Sequence, residues 1–139
     1  MTIQEIQEEI IDEFAMFDDW MQRYEYIIDL GKSLPVIAEE EKIEENVIKG
    51  CQSKVWVNGV LEGDKVVFTA DSDAILTKGI IAILIRAFSN QTPAAILAAD
   101  TDFVDEIGLK EHLSATRANG LVSMIKKIKL YALAFQSKK

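Results

Sequence analysis

Apolar residues recur along the chain first at helical spacing, then in alternation, then at helical spacing again. Ile3, Ile6, Ile10, Phe14 and Phe17 form one stripe of an amphipathic helix. Thr2 with Glu5 three residues on has the form of a capping box. Asp18 or Asp19 is placed to cap a second helix, whose apolar face comprises Trp20, Met21, Tyr24, Ile27 and Ile28. Gly31, as a left-handed cap, and Pro35, without an amide proton, end that helix. Residues 37–45 are acidic and weakly patterned, which predicts a surface connector with room for a helical turn.

From Lys54 to Leu61 and from Lys65 to Ala70, β-branched and aromatic residues dominate, and Glu62-Gly63-Asp64 between them is a turn signal. The pair reads as an antiparallel hairpin, with Asn58-Gly59 marking a bulge or an earlier turn. Ser72 or Asp73 is placed to cap a long helix from Ala74 to about Phe88. That helix is apolar nearly all round (Ile75, Leu76, Ile80, Ile81, Ile83, Leu84), a pattern that implies deep burial. Thr92-Pro93 begins a shorter helix with proline at its favoured first position, and residues 100–111 read as loop or short helix. A final helix from Ser114 or Thr116 to about Phe135 turns Leu121, Ile125, Ile128, Ala132 and Phe135 inward. Helices, a hairpin and further helices predict an α+β fold: a small antiparallel sheet built on a hairpin, with helices packed on one face.

Composition narrows the class. The 139 residues suit one domain spanning 1–139, and 49% apolar with 27% charged residues suits a buried core under a soluble surface. No apolar run approaches the roughly 18 residues of a membrane span; Ile80 to Ile85 stops at Arg86. The start, with Glu5, Glu8 and Glu9, lacks the basic and apolar regions of a secretory signal. One cysteine allows no internal disulfide, which fits a reducing compartment, and a cytoplasmic domain is the expectation. The net charge of −8 is uneven: residues 1–50 hold 14 Asp/Glu against 4 Lys/Arg, and residues 51–139 hold 9 against 11. That distribution argues against nucleic-acid binding, which needs basic surface, and suits solubility or the orienting of a protein partner. Lys126, Lys127 and Lys129 read as an ordinary solvated helix face.

The chemistry centres on Cys51. It lies in Lys49-Gly50-Cys51-Gln52-Ser53, a polar, turn-tolerant stretch between a helical segment and Val55-Trp56-Val57, so a loop feeding a strand presents it. Gly50 supplies the sharp turn that either tips the thiol outward or folds it inward. A lone cysteine is more often inert packing than a nucleophile. His112, the only histidine, raises a Cys–His hydrolase alternative, but no oxyanion motif accompanies it and it sits just before a helix cap. A cluster scaffold needs several thiolate or equivalent ligands, which one cysteine and one histidine do not supply.

Gly50-Cys51-Gln52-Ser53-x-Val55-Trp56 resembles the signature of SufE-type sulfur-acceptor proteins, which work with a cysteine desulfurase in iron–sulfur cluster assembly. Arg23-Tyr24-x-Tyr26-Ile27-Ile28-x-Leu30-Gly31 with Leu34-Pro35 is similar to that family's N-terminal block. Asp71-Ser72-Asp73-Ala74 with Lys78-Gly79 resembles its middle block, and His112-Leu113, Arg117, Asn119-Gly120-Leu121 and Ser123-Met124-Ile125 its last. The blocks span roughly 20 to 130, and the first helix carries no such signature.

The resemblance implies a SufE/IscU-like fold and a Cys51 that accepts sulfur as a persulfide. The thiolate is the attacking form and an unperturbed cysteine is a few per cent ionised at neutral pH, so a positive setting is expected, with Lys49, Lys54 and Arg117 as candidates by charge. Because persulfides oxidise and leak sulfur, the resting side chain is expected to be partly tucked away and to swing out when a desulfurase docks. Gln52 and Ser53 are expected to shape the loop, Trp56 to pack, Asp73 to cap a helix with control of the cysteine loop from nearby, and Arg117 to hold a loop carbonyl, a carboxylate or the partner. The implied partner is a SufS-like or CsdA-like cysteine desulfurase, with a downstream sulfur acceptor beyond it. Pyridoxal phosphate is expected on that desulfurase only, and no cofactor or metal on this chain. Monomer or weak homodimer is the expected state, with no membrane association. An activator that binds the desulfurase without taking sulfur is the main alternative.

Overall fold

A computed structural model describes residues 2–49, 53–109, 113 and 115–137, the side chains of 115–117 lying outside that description. Helix α1 (Ile3–Ala15) starts from the expected capping box: the Glu5 amide donates to Thr2 Oγ1 and the Thr2 amide to Glu5 Oε1. Helix α2 (Trp20–Leu30) is capped by Asp19 rather than Asp18, the Asp19 carboxylate accepting from the Gln22 amide at 2.8 Å. Met21 was expected on the inner face but is 65% exposed, while Trp20, Tyr24, Ile27 and Ile28 of the same helix pack on the core.

Gly31 does not close α2 in the left-handed region. Its φ is −60° and the chain continues into a 3-10 turn (Gly31–Ser33). What matters there is space: a Cβ on Gly31 would lie 3.1 Å from the Gly79 amide nitrogen. Beyond Pro35 the presumed connector first joins the sheet. Val36 bridges Ala70 in parallel, the Ala70 amide donates to the Pro35 carbonyl and the Ile37 amide to that of Ala70. Two further 3-10 turns follow, Glu39–Glu41 and Glu44–Asn46.

Strands β1 (Val55–Glu62) and β2 (Lys65–Ser72) form the expected hairpin, joined through Gly63 at φ 65°. The register runs unbroken from Val55 opposite Ser72 to Glu62 opposite Lys65, so Asn58-Gly59 is neither bulge nor turn. A Cβ on Gly59 would meet the Phe68 ring at 3.0 Å and the Tyr131 ring at 3.1 Å; the missing side chain makes room for two aromatics. Direct partners share a face, so Val55, Val57, Val66, Phe68 and Ala70 point to the core, while Trp56, Val60, Val67, Thr69 and Asp71 line the other side. The outer edge of β2 is covered by residues 35–37 and by Gln91, and that of β1 by Val47.

Helix α3 (Ile75–Phe88) runs through the middle, against α1, α2, β2 and the last helix. All but three of its residues are buried, as its apolar pattern requires; Ile75, at its exposed start, is an exception. α4 (Pro93–Ala98) is capped by Thr92 with proline in its first turn, and α5 (Phe103–Glu106) is a single turn. α6 (Ala115–Ser137) buries Leu121, Met124, Ile128 and Ala132, while Ile125 and Phe135 pack partly buried on the same core. Helices therefore cover one face of a small antiparallel sheet, the expected α+β arrangement. Among the described residues no helix is long and apolar enough to cross a membrane.

Candidate functional site

Gly50, Cys51, Gln52 and His112 lie outside the described residues, as does the side chain of Arg117, whose backbone sits in the first turn of α6. The structure does describe the two flanks from which the cysteine loop springs. On the upstream flank the Ile48 amide donates to the Val55 carbonyl at 2.8 Å, and Val47 bridges Trp56. Residues 47–48 and 55–56, on either side of the Cys51 stretch, are thus held to each other.

Asn46 anchors that flank from below. It is 5% exposed; its amide donates to the Glu41 carbonyl at 2.7 Å, and its Oδ1 accepts from the Tyr131 hydroxyl at 2.6 Å. Tyr131 reaches there from α6, where Lys127 donates to the Glu45 carbonyl at 2.7 Å. Burial raises the Tyr131 phenol above its ordinary pKa, which keeps it a hydrogen-bond donor. Lys49, one candidate for lowering the thiol pKa, is paired with Glu44 at 2.8 Å, which holds the Glu44 carboxyl below its usual range.

On the downstream flank Ser53 Oγ lies 3.2 Å from Thr77 Oγ1 on α3. One residue on, the Lys54 amide donates to Asp73 Oδ1 at 3.1 Å and the Asp73 amide to the Lys54 carbonyl at 3.2 Å. The carboxylate of Asp73 therefore fastens the strand entry and does not cap α3. The N-cap position of α3 is Ala74, with no side-chain bond, and Ser72 Oγ accepts from the Ala74 amide just before it. The positive end of a 14-residue helix thus opens beside Ser53, and among the described residues no side chain caps it.

Trp56 lies on the outer sheet face. The Lys42 ammonium lies 5.1 Å and that of Lys54 5.7 Å from its ring centroid, within cation–π range. Lys42 also binds Asp71 at 2.9 Å, and Lys78 reaches the same carboxylate at 3.5 Å. Burial pushes the Asp71 carboxyl up, but bonds from Lys42 and the Ser72 amide outweigh it and leave the group below its ordinary value.

Ser53 and Asp73, singled out in the sequence, thus meet at one end of the loop. Asn46, Thr77, Tyr131 and Lys42 were not singled out. Thr77 carried a signal, a hydroxyl in a helix whose other uncharged residues are apolar; Tyr131 and Lys42 act across the fold and carried none. The resembling blocks also gain physical roles. Arg23 donates to the Ile107 carbonyl at 3.1 Å, and Gly79 lets α2 approach α3.

Comparison with known proteins gives the family and the fold. The family described as SufE, Fe-S metabolism associated domain, matches residues 8–132, reaching into α1 where no signature was evident. An uncharacterised SufE-like protein of Rhizobium etli is 42% identical over 127 residues, covering 88% of this chain and 86% of the relative. Another from Rhizobium meliloti is 43% identical (88% and 91%), and one from Synechocystis sp. is 39% identical (91% and 80%). A hypothetical protein of Thermus thermophilus, solved in solution, superposes with a TM-score of 0.79 at 18% identity, covering 95% of this chain and 96% of that one; it shares the fold. On the extent of the domain match and the identity to these relatives, the chain belongs to the SufE family, whose domain is associated with Fe-S metabolism.

Proposed function

We propose that the protein is a sulfur acceptor, taking sulfane sulfur from a cysteine desulfurase onto Cys51 and passing it on toward iron–sulfur cluster assembly. The observation that carries this reading is the family match, which runs through the Gly50-Cys51-Gln52-Ser53 stretch. The flanks described above support it. Main-chain bonds on both flanks fix where the stretch carrying Cys51 leaves the fold and where it returns.

In the transfer the Cys51 thiolate attacks the terminal sulfur of a persulfide on the desulfurase. A bond forms between Cys51 Sγ and that sulfur, the partner's S–S bond breaks, and the partner's cysteine leaves as a thiolate. No oxidant is consumed. Attack on the inner sulfur would instead give a mixed disulfide and stall the relay. The positive start of α3 beside Ser53 favours negative charge nearby, which suits a thiolate or an anionic persulfide. Pyridoxal phosphate belongs to the desulfurase in this scheme, a SufS-like or CsdA-like enzyme, and a cytoplasmic setting keeps the thiol reduced.

The experiment is mass spectrometry after incubation with free cysteine and a pyridoxal-phosphate-loaded desulfurase. The expected result is a gain of one sulfur on wild type and none on Cys51→Ser, together with loss of the stimulated desulfurase rate in the variant. An unmodified wild type that still accelerates the enzyme would replace this reading with activation by binding alone.

A further inference from the structure

We infer that Ile75 is the apolar anchor on which a cysteine desulfurase docks, with the Lys54 ammonium as a charged contact beside it; the inference names a docking surface for the sulfur-acceptor reading and rests on that reading. Three residues of α3 are not buried, Ile75, Lys78 and Arg86. Lys78 and Arg86 are cations held by carboxylates, Lys78 at 3.5 Å from Asp71 and Arg86 at 2.6 Å from Glu9. Ile75 is apolar and 68% exposed. The helix gains little from it, because isoleucine is a mediocre helix former and a first turn favours acidic residues. Neither core packing nor helix formation accounts for isoleucine at this position, whereas burial against another protein does.

Its neighbours tie it to the acceptor site. Ser53 and Lys54 stand two and three residues beyond Cys51, and both are fastened to the start of α3. Ser53 Oγ lies 3.2 Å from Thr77 Oγ1, and the Lys54 amide donates to Asp73 Oδ1 at 3.1 Å. Ile75 falls midway between those two fastening points. A stable protein–protein contact covers about 800 Å² of each partner, so an enzyme that brings a persulfide to Cys51 also covers the start of α3. The charge there is positive where it is unmatched. Lys42 and Lys78 are taken up by Glu39 and Asp71, but Lys54 is exposed, rests 5.7 Å from the Trp56 ring centroid and makes no ion pair among the described residues. The first turn of α3 holds no acidic residue, so the positive helix end adds to that ammonium. The complementary partner surface is an apolar socket with carboxylates at its edge.

The test is the affinity for SufS-like and CsdA-like desulfurases loaded with pyridoxal phosphate, measured by isothermal titration calorimetry in wild type, Ile75→Ser, Ile75→Val and Lys54→Glu. Ile75→Ser should weaken binding by about tenfold or more, as removal of a buried anchor does. Ile75→Val, which keeps most of the apolar contact, should weaken it by about fourfold or less, the worth of one methylene. Lys54→Glu should weaken it by about threefold to tenfold at low salt, and the difference should shrink as salt rises. The thermal midpoint of Ile75→Ser should match that of wild type, since the side chain is exposed, so lost affinity is not lost folding. Ile75→Ser binding as tightly as Ile75→Val, or Lys54→Glu binding as tightly as wild type at low salt, would overturn the inference. So would sedimentation of wild type as a dimer and of Ile75→Ser as a monomer, which would assign the anchor to a second copy of this chain. A wild type that binds neither enzyme would instead remove the sulfur-acceptor reading itself, so the two failures are distinguishable.

Discussion

At Gly79 a single hydrogen lets two helices touch. A Cβ there would lie 2.0 Å from the Ile27 carbonyl oxygen, a backbone atom that has no free end to move aside. Gly79→Ala is expected to destabilise the protein by about 3 kcal/mol or to prevent folding, since overpacking costs roughly 1–3 kcal/mol even where side chains can yield. Urea unfolding checks it, and a midpoint within error of wild type would refute the close packing. Asn46 makes the opposite point, that a buried polar group is tolerated when both its ends are bonded. Asn46→Ala would deprive the Tyr131 hydroxyl and the Glu41 carbonyl of this partner, at a cost of about 2 kcal/mol. The same variant should speed proteolysis near residues 41–49, because the segment loses its tether to α6; an unchanged cleavage pattern would contradict that role.

Between elements, the N-terminal helices are joined to α3 by an ionic group at the edge of the core. Arg86 of α3 binds Glu9 at 2.6 Å and Glu13, both on α1, while the Tyr26 hydroxyl of α2 donates to Glu13. The Arg86 bonds, aided by Tyr26 and opposed by burial, hold the Glu13 carboxyl below its ordinary 4.5. A carboxyl with a lowered folded-state pKa stabilises the fold fully above the unfolded value and loses that contribution as pH falls through the folded one. Thermal midpoints measured from neutral pH down to well below 4.5 should therefore fall less steeply in Glu13→Gln than in wild type. Parallel curves would show that this group is not a source of acid sensitivity. Around it sit Phe14 and Phe17, each against the Tyr26 ring at 5.3 and 4.9 Å, so the pair is backed by apolar contact and does not stand alone in water.

Across the whole molecule one apolar cluster takes residues from α1, α2, both strands and each later helix, with α3 at its centre. Such continuity predicts cooperative unfolding. Trp20 on α2 and Trp56 on β1 report from different layers, and their fluorescence should change together with the helical circular dichroism signal. Two separated transitions would mean that α1 and α2 fold as a unit apart from the sheet.

Much of this was legible in order along the chain. The capping box at Thr2, the hairpin through Gly63, the proline start of α4 and the deep burial of α3 all rest on residues within a few positions of one another. Local sterics and periodicity suffice to specify them. Met21 and Ile75 fit the same periodicity yet face water, because a helical repeat does not reveal how far a neighbouring element extends. Gly31 and Gly59 looked like a cap and a bulge, the local uses of glycine, whereas their missing Cβ atoms serve a helix contact and an aromatic pair distant in sequence. Asp73 looked like a cap because it stands before a helix, but the Lys54 amide, nineteen residues upstream at the entry to β1, takes its carboxylate. Sequence therefore determined which segments become helix or strand and where the lone cysteine lies. Only the tertiary structure decided which side chains brace its flanks, since Asn46, Thr77 and Tyr131 meet them through long-range contacts that no local pattern encodes.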